Sequence, residues 1–171
     1  DTQIPMKEVT FSAGMASDTK ASVDSQTGAF SWQDGDVISV LATDGKFYDF
    51  VLASGVGERE AEFTGSIPET AEVTTVATYP VIADNGADNT VLVGTTLSYT
   101  LAAEFDYVKD VCNVPMVAAF GEAATHMAFK QIGGVMRFPV KNLPTEAKLV
   151  ITMKDKTVTG AFPVDINNLG T

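Results

Sequence analysis

Apolar residues recur at every second position along much of this chain, with polar residues between them, the period of a strand that buries one face. Two segments show it most clearly. In Phe30-Ser-Trp-Gln-Asp-Gly-Asp-Val-Ile-Ser-Val40 a polar, Gly-bearing turn launches an apolar strand, and Thr125-His-Met-Ala-Phe-Lys-Gln-Ile-Gly-Gly-Val-Met-Arg-Phe-Pro-Val-Lys-Asn142 repeats the device. The pattern predicts strands over Lys7 to Ala13, Lys20 to Val23, Val37 to Thr43, Phe47 to Leu52, Ala61 to Thr64 and Val73 to Tyr79. It continues over Leu97 to Leu101, Met116 to Phe120, His126 to Phe129, Val135 to Val140, Lys148 to Met153 and Val158 to Val164. Turn chemistry separates these runs at Asp34-Gly35, Asp44-Gly45, Gly55 with Gly57, Asp84-Asn85-Gly86, Gly121, Gly133-Gly134 and Asn142-Leu-Pro144. Asp44-Gly45, set between two alternating runs, is the strongest hairpin signal.

Many short strands punctuated in this way predict an all-β fold, a β-sandwich in preference to a barrel. Helical spacing is confined to Ala102 to Val111, where Phe105, Val108 and Val111 suit one or two turns at most. The stretch from Val81 to Thr96 is polar and Gly-rich and reads as an exposed loop. Strand parity places Trp32, Val37, Ile38 or Val40, Phe129, Phe138 and Ile151 in one buried cluster.

Composition bounds this picture. A chain of 171 residues with 45% hydrophobic content is long enough for one domain with its own core and too short for two full domains of this kind. The expected domain spans 1–164, with 165–171 as a tail or linker. Eleven basic against 22 acidic residues give a net charge of -11, which argues against nucleic acid or anionic lipid as a partner. The single cysteine, Cys112, has no internal partner, and burial beside Val111, Val114 and Met116 is its expected state. The longest uncharged stretch, Asn89 to Ala103, is too short and too rich in Thr and Ser to span a bilayer as a helix. Asp1-Thr-Gln-Ile-Pro5 lacks the basic and apolar regions of a signal peptide, so any export signal is expected upstream of it.

Candidate chemistry is sparse. His126 is the sole histidine, and a zinc site or a Ser-His-Asp relay with a histidine base requires it. It alternates with Met127 and Phe129 along a predicted strand, where a structural role is expected. No nucleophile elbow, Walker-type loop or dinucleotide fingerprint occurs, so an enzyme is not expected, and no catalytic, cofactor or metal residue is assigned. Asp84-Asn-Gly-Ala-Asp-Asn89, and Asp34 with Asp36, carry oxygen ligands of the kind calcium takes, but neither matches the twelve-residue calcium loop and both suit ordinary turns. Trp32 and Tyr48 suit sugar stacking if exposed; a Trp just before a sandwich strand is expected in the core.

The order of several elements resembles the bacterial fimbrillin-like family. The matching segments are Trp32-Gln-Asp-Gly-Asp36, Phe129-Lys130, Gly133-Gly134 and Val135 through Asn142, with Val9-Thr-Phe-Ser12, Thr19-Lys-Ala21 and Thr159-Gly-Ala-Phe-Pro-Val164 around them. They span nearly the whole chain. The resemblance implies a transthyretin-like, Greek-key β-sandwich of the fimbrillin N-terminal-domain type. It also implies export to the cell surface, outer membrane or fimbria, with lipidation through a cysteine upstream of Asp1.

What the resemblance implies for function is a structural subunit, anchor or tip of a pilus-like assembly involved in cell adhesion. Its partners would be other subunits, joined by strand exchange, and host or bacterial surface proteins or glycans. The first strand, Lys7 to Ala13, is the expected exchanging element, as an amino-terminal edge strand can leave without threading a loop. Polymerising members are cut at a basic residue in the loop after that strand. Here the nearest such residue is Lys20, and the only arginines are Arg59 and Arg137, which leaves a non-polymerising role open. The alternative expectation is a surface lipoprotein module that binds carbohydrate for nutrient uptake, marked by an exposed aromatic platform.

Overall fold

The structure is a computed structural model of the whole chain, and it describes residues 4–15, 31–81, 90–93, 96–101, 115–118, 126–132, 141–142, 144–146, 150, 154 and 160–166. Among the described residues ten strands occur in chain order: β1 (Met6–Met15), β2 (Val37–Ala42), β3 (Phe47–Ser54), β4 (Glu60–Pro68), β5 (Val73–Tyr79), β6 (Thr90–Val93), β7 (Thr96–Leu101), β8 (Met116–Ala118), β9 (His126–Gln131) and β10 (Gly160–Asp165). The described residues contain no α-helix, and the chain is all-β.

Seven of these strands form a closed, barrel-like sheet in the order β1-β4-β3-β2-β5-β8-β9, and β10-β7-β6 form a separate three-stranded sheet. Hydrogen bonding therefore runs continuously around the larger sheet, where the sequence favours a sandwich over a barrel. Every junction in the ring is antiparallel except β1 with β9, which is parallel over Ser12↔His126 to Met15↔Phe129. A short list of residues makes the turns possible. Gly45 takes φ 82°; its N–H donates to Ala42 O at 3.0 Å and the Ala42 N–H donates to Lys46 O at 2.8 Å, closing the β2-β3 hairpin that Asp44-Gly45 predicts.

Alternation along the strands decides what lies inside. Phe11, Ala13 and Met15 of β1 share the main core with Ile38 and Val40 of β2, Phe50 of β3, Ala61, Phe63 and Ile67 of β4, Ala77 and Tyr79 of β5, Met116 and Ala118 of β8, and Met127 and Phe129 of β9. Ile38 and Val40 sit two apart and both point inward, so Val37, between the turn and Ile38, lies on the other face and is only partly buried. This corrects its predicted place in the core. Phe138 and Ile151 lie outside the described residues, as do Cys112, the segment 102–111, and the predicted strands at Lys20 to Val23 and Val135 to Val140.

A second apolar cluster lies on the outer face of β2, β5 and β8. Their outward residues Leu41, Val76 and Val117 are buried with Leu97 of β7 and Ile166, flanked by Phe47, Ile132 and Val164. The small sheet thus packs on the outer face of three strands of the ring, where Ser39 and Thr78 are buried as well. Two local expectations change. Thr90 to Val93, within the predicted loop, forms β6 because its β-branched run pairs with β7, Val93 opposite Thr96. Val150, within the predicted strand Lys148 to Met153, is outside any strand and 78% exposed.

Phe63 is fully buried and meets Trp32 edge-on at 4.9 Å between ring centroids. Phe63→Ala is expected to cost about 3 to 5 kcal/mol in denaturant unfolding, while Val37→Ala on the outer face costs under about 1.5 kcal/mol. Equal losses at the two sites would contradict the facing described above.

Candidate functional site

Trp32 enters the barrel from the segment before β2, and its surroundings show why the residues that follow it are polar. Its indole is fully buried against Phe63, Tyr79 and Phe129, all in edge-on geometry, at 4.9, 5.4 and 5.7 Å. Its Nε1–H donates to Arg59 O at 3.1 Å, its backbone N–H donates to Glu58 O at 2.9 Å, and its carbonyl accepts from Gly57 N at 2.7 Å. The turn between β3 and β4 is thereby tied to the start of β2. Trp32 is a core anchor and offers no face to a sugar.

Asp36 closes the turn after Trp32. Its Oδ2 accepts from Gln33 N at 2.8 Å and its Oδ1 from the Tyr79 hydroxyl at 2.9 Å. The Asp36 N–H donates back to Gln33 O at 3.1 Å, and Gly35 supplies the left-handed residue at φ 83°. Both carboxylate oxygens are thus engaged by protein donors inside the turn. Burial pushes the Asp36 carboxyl above its ordinary range, against the lowering effect of the Gln33 and Tyr79 bonds. Tyr48 is partly buried against the main core, and its hydroxyl donates to Asp44 Oδ2 at 2.7 Å. That bond holds the Asp44 carboxyl below its usual range and raises the Tyr48 phenol.

The other place where polar side chains converge is the parallel seam. There β1 pairs with β4 from Met6↔Pro68 to Gly14↔Glu60 on one side and with β9 from Ser12 to Met15 on the other. Among the described residues, Met6 to Phe11 pair with β4 alone. The expectation of an edge strand therefore holds for the first half of β1 and is corrected for the second half, which ring closure makes interior.

On the outer face of this seam, Ser12 Oγ lies 2.8 Å from His126 Nδ1, and Glu60 Oε2 lies 3.9 Å from the same nitrogen. Glu60 reaches this point by lying across Gly14, whose missing Cβ leaves the space that the carboxylate occupies. His126 points outward, while Met127 and Phe129 beside it point into the core. A serine relay needs hydroxyl and carboxylate on opposite ring nitrogens; here both meet Nδ1. Among the described residues, no group of three or more His, Cys, Asp or Glu side chains is arranged to hold a metal ion. The acidic segment Asp84 to Asn89 lies outside those residues.

The sequence pattern places Trp32 in the core ahead of β2 and His126 on β9, but gives no sign of this cluster. Ser12 and His126 are 114 positions apart, and parallel pairing between them leaves no local mark. No family model matches the chain, and neither a curated protein nor a solved structure matches it.

The raised Asp36 carboxyl has a pH consequence. A folded-state value above that of the unfolded chain means that the group's contribution to stability is complete below the ordinary aspartate value and is lost as pH rises through the folded one. The stability of the wild type minus that of Asp36→Asn should therefore increase as pH is lowered from 7 toward about 4. Denaturant melts across that range measure it; a difference that shrinks on acidification would show that the two donated hydrogen bonds outweigh burial.

Proposed function

We propose that this chain is a structural subunit, anchor or tip of a fimbria-like surface assembly that mediates cell adhesion, with β1 as the strand exchanged between subunits. The finer fold assigned to it is the transthyretin-like sandwich of the fimbrillin N-terminal type. The observation that carries the reading is the pairing pattern of the ring. Without β1, the strands β4-β3-β2-β5-β8-β9 still form one uninterrupted antiparallel sheet. β1 is a closing stave, joined antiparallel to one end of that sheet and parallel to the other.

A stave of this kind leaves behind a slot with the chemistry that an extended segment recognises. Its inward residues Phe11, Ala13 and Met15 sit among Phe50, Phe63 and Phe129, so the vacated slot is apolar, and backbone groups on β4 and β9 lose their partners. An equivalent strand from a neighbour satisfies both demands with no catalytic residue. Other subunits are the partners that this mechanism requires, and surface proteins or glycans are the adhesion targets. An exported, surface-anchored location follows from the same reading.

Deleting residues 1–20 is expected to leave a folded domain that polymerises or captures a synthetic peptide with the Met6–Met15 sequence, read by native mass spectrometry and calorimetry. A folded, monomeric product that ignores the peptide overturns the exchange mechanism. A second variant tests the full chain. Thr10 and Thr64 are directly opposite, with hydroxyls 2.8 Å apart, so Thr10→Cys with Thr64→Cys, made with Cys112→Ser, should lock β1 when oxidised and abolish peptide uptake that the reduced form retains.

Arg59 lies in the turn between β3 and β4 and not in the segment after β1, where polymerising members are cut, so arginine-directed maturation is not expected at it. Its carbonyl accepts the Trp32 indole N–H and the next residue begins β4, so the bond is held in place although the turn is exposed. Limited digestion of the folded chain is expected to release no fragment beginning at Glu60, whereas the Trp32→Phe variant is cut there at a measurable rate. Mass spectrometry of timed samples distinguishes the two.

A further inference from the structure

We draw no further inference here: the strongest candidate, the Ser12, His126 and Glu60 cluster on the outer face of the β1-β9 seam, brings only two metal-ligating side chains together, both contacts fall on one ring nitrogen of a half-exposed histidine, and nothing in the structure shows what would bind it.

Discussion

Seven strands cannot alternate in direction around a closed ring, because alternation returns to its starting sense only when the number is even. One junction must be parallel, and in this chain that junction is β1 with β9. Much of the architecture follows from where it falls. Consecutive strands joined by tight turns are necessarily antiparallel, which accounts for β2 with β3 and β3 with β4. A parallel pair needs partners far apart in the chain, and the amino-terminal strand meeting one that starts at His126 meets that need. The seam also gathers Ser12, Glu60 and His126 on one outer face, because Gly14 lets the Glu60 side chain cross the strand beneath it.

Buried side chains from every strand of the ring meet in the barrel's interior. Trp32 is held by three backbone hydrogen-bonding groups from the β3-β4 turn, and its ring meets aromatic residues from β4, β5 and β9. Gly65 answers the same crowding on β4: a Cβ there would lie 2.6 Å from Asp49 O and 2.7 Å from the Phe50 ring. On the outside the sheet is treated unequally. The strands β2, β5 and β8 are roofed by β10-β7-β6 through Leu41, Val76, Val117 and Leu97. The outer positions of β1 and β4 carry Glu8, Thr10, Ser12, Glu60, Glu62, Thr64 and Ser66 instead, a polar surface suited to water.

Local signals made the strands and turns legible. Each of Gly35, Gly45, Gly55 and Gly57 stands at a predicted turn and takes a positive φ, because only a residue without a Cβ adopts that conformation cheaply. The inward parity of Phe129 and Met127 could likewise be read from alternation. Closure of the ring could not, because a parallel pairing over Ser12 to Met15 is written in no local period. Val37 lies on the opposite face from Ile38 and Val40, which adjacency to Ile38 requires, and the four residues of β6 are too few to stand out from the polar stretch around them. The Ser12 and His126 pair was illegible for the same reason as the ring: topology alone brings the two residues together.

The energetics of the stave bear on the strand exchange proposed for β1. Fully burying Phe11 and Met15 contributes roughly 3 to 6 kcal/mol together, and the nine register pairs with β4 from Met6 to Gly14 add a ladder of backbone bonds. A strand held on that scale does not leave into empty solvent at a useful rate, because the departure exposes the aromatic slot and its unpaired backbone at the same time. Replacement by a like strand avoids most of that cost, since apolar contacts and hydrogen bonds lost at one end of the slot are remade as the incoming segment advances. The parallel seam is the shorter of the two junctions, with four register pairs from Ser12 to Met15. In the exchange we propose, replacement would therefore begin where β1, among the described residues, pairs with β4 alone, at Met6 to Phe11, and finish at the seam, so the residues that would govern its rate are those of the interior half, Ser12 to Met15.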